Sequence, residues 1–319
     1  ILLQGCGKND YVVDYTDIAR AKNDSSSTAV HDPSIIKADD AYYIFGSHMS
    51  AAKSTDLAEW DMLTSKTNGY SINNPVYTDM KNLETEEFKF TGNGASVIPT
   101  DDKATHVWAP DVIYNKAQNL YYMYYCVSSN FDSSTIVYGT SENIDGPYEW
   151  KGNLLYSGVT VNNIEETDIL EYVDEEYAIS HYTSKAGYEY NFKEYPNCID
   201  PTVFYDKDGR MWMVYGSWSG GIFLLEIDEA TGRVIHPELD EKNNVDPYYG
   251  KRLLGGGHHS IEAPYILYDE STECYYLYVS YGELTRDGGY QIRVFKSDKV
   301  DGDYVDISLE GSKLKIEEL

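Results

Sequence analysis

One pattern recurs four times along the chain: an acidic residue beside a proline, an apolar strand, a polar turn, then an aromatic strand. The units begin at Asp32-Pro33-Ser34-Ile35-Ile36, Ala109-Pro110-Asp111-Val112-Ile113, Asp200-Pro201-Thr202-Val203-Phe204 and Glu262-Ala263-Pro264-Tyr265-Ile266. The returning strands read Tyr42-Tyr43-Ile44-Phe45, Tyr121-Tyr122-Met123-Tyr124, Met211-Trp212-Met213-Val214 and Tyr275-Tyr276-Leu277-Tyr278. A repeat of supersecondary units is the strongest constraint a sequence places on its fold, because each unit must bury its apolar face against the next. The turn Asp206-Lys207-Asp208-Gly209 suits a hairpin, with Gly209 supplying a positive φ. Third and fourth strands follow, as in Ile136-Val137-Tyr138 before Asp145-Gly146-Pro147-Tyr148 and Ile292-Arg293-Val294-Phe295 before Asp301-Gly302-Asp303-Tyr304. Ser54-Thr55-Asp56-Leu57 with Trp60 closes the first unit in the same way.

Four antiparallel strands per unit, repeated with an acidic residue at each head, predict an all-β, five-bladed β-propeller, of which four blades are readable. The first strand of each blade lines the central axis, so residues distant in sequence meet at one mouth of the channel. Helical periodicity is scarce, and segments 64–96 and 150–170 read as coil or short helix inserted on the rim. The 32 Tyr against 8 Phe fit strands and flat, polar-tipped surfaces, with most of these rings expected in packing.

The repeat places Asp32, Asp111, Asp200 and Glu262 at equivalent ends of four inner strands. Converging carboxylates repel, and a fold tolerates them when one is protonated, a cation intervenes, or their pKa values are separated for catalysis. Glycoside hydrolysis needs one carboxyl protonated for the leaving oxygen and another ionised to activate water or attack the sugar. A single acidic residue beside a proline is commonly only a turn element. Four in register favour chemistry.

The formal net charge of -28 weighs against nucleic acid or an anionic membrane as partner and favours a neutral saccharide. No apolar run is long enough to span a bilayer. Near the start, Leu3-Gln4-Gly5-Cys6 resembles the lipobox at which bacterial lipoproteins are cut and acylated, the alternative being an ordinary N-terminal strand with an incidental Cys. Residues 1–25 are therefore expected to be a tether ahead of a 26–319 propeller domain, with lipid on Cys6 as the only membrane contact. An exported protein of the bacterial surface or periplasm follows. Cys126, Cys198 and Cys274 show no framework or metal spacing and read as buried free thiols.

The segments His31-Asp32-Pro33-Ser34, Trp108-Ala109-Pro110-Asp111-Val112, Asn197-Cys198-Ile199-Asp200-Pro201, Tyr215-Gly216-Ser217-Trp218-Ser219-Gly220-Gly221-Ile222 and Ile261-Glu262-Ala263-Pro264-Tyr265-Ile266 together resemble glycoside hydrolase family 43. Within it, Tyr276-Leu277-Tyr278-Val279-Ser280-Tyr281-Gly282 and Gly288-Gly289-Tyr290-Gln291-Ile292-Arg293-Val294 are similar to the endo-arabinanases that cut α-1,5-linked arabinan. The resemblance implies an inverting mechanism. Asp32 would be the general base, Glu262 the general acid, and Asp200 the group that raises the proton affinity of Glu262 and holds it. Inversion would set the Asp32 and Glu262 carboxyls roughly 6.5 to 9.5 Å apart.

Trp108 and Trp218 are candidates for stacking on sugar rings, and Asn197, Ser217 and Asp111 for polar contacts. His31 adjoins the base and is either a sugar or water ligand or a structural histidine. His258 and His259, on a Gly-rich loop, are within reach of the cleft. No cofactor is needed for the chemistry and no metal ligand is assigned. In many arabinanases a His of the last blade faces a metal in the central channel. That blade is not found before Leu319, so a structural Ca²⁺ is carried only as an implication of the resemblance. Cys198 also departs from the usual Ala. Two rivals share these residues: an exo-acting α-L-arabinofuranosidase or β-xylosidase, and a non-catalytic carbohydrate-binding propeller.

Overall fold

The computed structural model describes residues 28–64, 74–77, 107–128 and 133–307. Four sheets follow one another along the chain. The first contains β1 (Ser34–Ala38), β2 (Ala41–Gly46), β3 (Ser50–Ser54) and β4 (Asp61–Met62), paired in that order. The second contains β5 (Val107–Asn115), β6 (Leu120–Ser128), β7 (Ser134–Ser141) and β8 (Glu149–Ser157). Two short helices, α1 (Ile169–Tyr172) and α2 (Glu175–Tyr182), and a two-stranded ribbon, β9 (Thr183–Ser184) with β10 (Glu189–Tyr190), lead to the third sheet. That sheet is built from β11 (Thr202–Tyr205), β12 (Met211–Tyr215), β13 (Ile222–Asp228), β14 (Arg233–Ile235), β15 (Val245–Asp246) and β16 (Gly250–Leu254). The fourth holds β17 (Ile261–Asp269), β18 (Cys274–Tyr281), β19 (Gln291–Ser297) and β20 (Val305–Asp306).

Every pairing is antiparallel; three sheets are simple meanders, while in the third β13 pairs with both β14 and β16 and β15 lies outside β16. The first strand of each sheet meets the first strand of the next: β1 touches β5, β5 touches β11, and β11 touches β17. This is the propeller arrangement expected from the repeat. The core sits between blades in three layers. Phe45, Met49 and Ala51 of the first blade pack on Val107, Met123 and Tyr125 of the second. Tyr124, Ile136 and Leu155 face Met213, Tyr215 and Leu225 of the third. Trp212, Val214 and Leu224 face Ile261, Leu277 and Phe295 of the fourth. Most tyrosine rings are used in these layers, for example the parallel trio Tyr122, Tyr124 and Tyr138 with centroids about 6 Å apart.

Gly209 has φ +82°, and Asp206 caps its turn by accepting from the Asp208 and Arg210 amides at 2.9 Å. Two expectations are corrected. Segment 150–170 is not wholly an insertion: residues up to Ser157 complete β8, an outer strand whose residues 154 and 155 are buried, whereas the short helical turns from Ile164 and Ile169 agree with the reading of short helix. The next helix was signalled locally, since Asp174 N-caps it by accepting from Tyr177 N at 2.7 Å. Cys126 and Cys198 are buried free thiols as expected, but Cys274 is only half-buried. The tether 1–25, Cys6 and most of 64–96 lie outside the described residues, and four blades are formed by the described ones.

Candidate active site

The four prolines, not the four acids, are the register marks. Pro33, Pro110, Pro201 and Pro264 each follow a non-glycine residue in the left-handed region: Asp32 at φ 48°, Ala109 at 45°, Asp200 at 54° and Ala263 at 52°. Asp32 and Asp200 are therefore equivalent, whereas Asp111 lies two residues later in its blade and Glu262 one residue earlier. That corrects the expectation of four equivalent acids. A residue in this region costs roughly 1–3 kcal/mol and persists only where the surroundings impose it, and asparagine and aspartate tolerate it best.

In the second and fourth blades the strain coincides with a β-bulge. Trp108 pairs with Cys126 and Asp111 with Tyr124, so Ala109 and Pro110 oppose Tyr125 alone. Glu262 pairs with Ser280 and Tyr265 with Tyr278, so Ala263 and Pro264 oppose Val279 alone. A bulge accommodates a proline, which has no N–H for the ladder. On its N-terminal side the ladder runs through Trp108 and Glu262, at the mouth of the channel.

There the inner strands enclose a cavity of about 1310 Å³. All nine residues singled out from the sequence line it: His31, Asp32, Trp108, Asp111, Asn197, Asp200, Ser217, Trp218 and Glu262. His258 lines it too, while His259 is not among the lining residues.

Each carboxylate is held differently. Asp32 takes both His31 Nδ1, at 2.9 Å, and the Ser47 hydroxyl on Oδ2. Ser47 also accepts from the Ala109 amide at 3.0 Å, which ties the first blade to the second. Glu262 accepts from Ser217 Oγ at 3.1 Å on Oε2 and from the Tyr290 hydroxyl at 2.6 Å on Oε1. Asp200 accepts from the Ala263 amide at 3.1 Å. Burial first, then the charges of Glu262 and Asp32, push its carboxyl up to about 8. Asp111 is sealed between blades, accepting from Ser34 Oγ on one side and from Val203 N, at 2.7 Å, on the other. Burial raises it to about 6 against those hydrogen bonds. Both of its oxygens are thus engaged by protein. Asn197 is buried, its Oδ1 accepting from Ser157 Oγ at 3.3 Å.

Ser47 and Tyr290 escaped the sequence reading. For Ser47 a signal existed. Phe45-Gly46-Ser47-His48 repeats Tyr215-Gly216-Ser217-Trp218 at the same place in its blade, and each serine holds one carboxylate. The glycines are required by close approach: a Cβ on Gly46 would lie 2.3 Å from His31 O, and one on Gly216 would lie 2.3 Å from Gly221 O. Tyr290 carried no comparable signal, because only the fold of the loop before β19 brings it to Glu262.

Among the described residues no group of three or more His, Cys, Asp or Glu is disposed to hold a metal ion.

Residues 22–308 match the model of the glycosyl hydrolases family 43. The extracellular endo-alpha-(1->5)-L-arabinanase 2 of Bacillus subtilis is 40% identical over 279 residues, covering 87% of this chain and 50% of that protein. The crystal structure of the endo-1,5-alpha-L-arabinanase of Thermotoga petrophila superposes with a TM-score of 0.67 at 39% identity, covering 86% of this chain and 53% of that one. A more distant relative, the extracellular exo-alpha-(1->5)-L-arabinofuranosidase of Cellvibrio japonicus, is 26% identical over 289 residues, covering 87% of this chain and 66% of that protein. The chain spans about half the length of the two arabinanases. On a match spanning most of its residues and a relative at this level of identity, the chain belongs to glycosyl hydrolases family 43.

Proposed function

We infer that the chain hydrolyses internal α-1,5 linkages of arabinan with inversion at the anomeric carbon. The observation that carries this reading is the meeting of Asp32, Asp200 and Glu262, from three blades, in one cavity where Asp200 is pushed up to about 8. Such a cluster keeps a proton at neutral pH that isolated carboxyls would have lost.

In the proposed reaction Asp32 removes a proton from water as the water attacks the anomeric carbon. The glycosidic C–O bond breaks and Glu262 protonates the departing oxygen. Asp32 suits the base because it lines the cavity and His31 and Ser47 hold it through the same oxygen, Oδ2. Glu262 suits the acid because Ser217 and Tyr290 fix both of its oxygens and Asp200 is hydrogen-bonded to the amide of the next residue. Trp108 and Trp218 offer rings to the apolar faces of the sugars, and His31, Asn197 and Ser217 offer polar contacts. Asp111 acts in this scheme as a clamp between blades that shapes the floor of the cavity. The arabinanase relatives support arabinan as substrate, since their names specify the α-1,5 bond.

Incubation with linear arabinan, branched arabinan and xylan, followed by sizing of the products, tests the reading. Oligosaccharides from linear arabinan are expected. Arabinose alone would replace it with the exo-acting alternative, and no product from any polymer would leave a carbohydrate-binding propeller. Export follows the extracellular naming of the same relatives. A lipid on Cys6 is the added part of that inference, and unchanged detergent-phase partitioning of Cys6→Ala would remove it.

A further inference from the structure

His258 stands against the wall of the cavity that carries Glu262. Its Nδ1 accepts from the Ser219 amide at 3.2 Å, and its own amide donates to Ser219 O at 2.9 Å. A backbone N–H can only donate, so the ring hydrogen sits on Nε2 and the remaining polar edge of His258 is a donor. Phe192 meets the ring edge-on at 5.0 Å and Trp218 lies beside it at 5.3 Å. All three residues line the cavity. An apolar, aromatic surface with one fixed donor matches a neutral furanose, which has a C–H face and hydroxyls.

The wall also has a side. Trp218 N donates to Ile261 O at 2.7 Å, next to Glu262, and Ser217 holds Glu262 Oε2. Asp32 is held instead by His31 and Ser47 of the first blade. Inversion places acid and base on opposite sides of the reacting sugar, with the leaving group beside the acid. We propose that Phe192, Trp218 and His258 form the subsite for the sugar residue on the leaving side of the cut bond, with His258 Nε2–H donating to one of its hydroxyls. This rests on the arabinan-hydrolase reading and adds a specificity-determining residue to it.

The test compares wild type, His258→Phe and His258→Gln on α-1,5-arabinohexaose labelled at its reducing end. Phenylalanine keeps the ring contacts and loses the donor, so kcat/KM is expected to fall roughly 2- to 12-fold, the value of one neutral hydrogen bond. The distribution of cut positions should shift with it. Glutamine, whose Nε2 can replace the lost donor, should recover most of both. Unchanged rate and cutting pattern in His258→Phe would overturn the subsite, as would equal losses in both variants accompanied by lower thermal stability. A wild type that leaves arabinohexaose intact would instead overturn the hydrolase reading. Calorimetric titration of arabinohexaose into Glu262→Gln, with and without His258→Phe, reads the subsite without turnover. Binding weaker by a similar factor is expected there, and equal binding would refute the assignment.

Discussion

Replacing Asp200 with Asn removes the group whose ionisation the cavity opposes most strongly. Its carboxyl moves from 3.8 to about 8, through burial and then the charges of Glu262 and Asp32. The folded state therefore holds this proton more tightly than the unfolded chain. Between these two values the folded protein is protonated here while the unfolded chain is not, so stability is greatest below pH 3.8 and declines until about pH 8. At about 1.4 kcal/mol per pKa unit, the decline from pH 5 to pH 9 amounts to about 4 kcal/mol as an upper bound. Asparagine keeps the shape and the acceptor for Ala263 N but cannot ionise. Asp200→Asn should accordingly lose hydrolytic activity yet become more stable than wild type as the pH rises, by up to that amount at pH 9. Urea denaturation of both proteins at pH 5, 7 and 9, followed by tryptophan fluorescence, reads the difference. Parallel pH dependences would refute the reasoning, because they would mean that Asp200 ionises freely in the folded protein.

Asp32→Asn and Glu262→Gln should each lower kcat by about 10²- to 10⁴-fold, the usual share of a general base or acid, with circular dichroism and Tm close to wild type. Near-normal turnover in either variant would remove that residue's role. Ser47→Ala deletes the donor to Asp32 and the acceptor of Ala109 N. A hydrogen bond to a charged group contributes about 1.5–3 kcal/mol, so kcat should fall roughly 10- to 100-fold with little change in KM, and an unchanged kcat would contradict the role given to Ser47. Asp111→Ala strands the buried Val203 N and takes the acceptor from the half-buried Ser34 hydroxyl. Each buried unpaired group costs about 1–3 kcal/mol, so chemical denaturation should show a loss of that order, and Asp111→Asn, which still accepts, should lose less.

The architecture was legible because the repeat is written in residue types with strong local preferences. Proline excludes central ladder positions, glycine permits the Asp206–Gly209 turn, and tyrosine fills half-buried strands. The three acids were legible for the same reason, since each lies within two residues of a repeated proline. Their relative register was not, because it depends on whether the strand restarts after a bulge, as at Ala263-Pro264, or begins after the proline, as at Thr202. Nothing in a single blade distinguishes these cases. The partners of the acids come from other blades or from distant loops, as Ser217 and Tyr290 do for Glu262, and such pairings exist only in the assembled ring. Strand β8 was missed because Trp150-Lys151-Gly152-Asn153 breaks its apolar run, and the register irregularities near Val137 and Gly139 absorb that break.

The anomeric form of the first product tests the convergence of base and acid most directly. Proton NMR of linear α-1,5-arabinan during the first minutes of digestion distinguishes the two anomers before they equilibrate. If Asp32 activates water on the face opposite Glu262, the new reducing ends should appear in the β form and relax to the mixture. New ends that first appear as α would mean retention, and with it a nucleophile where a water is assigned.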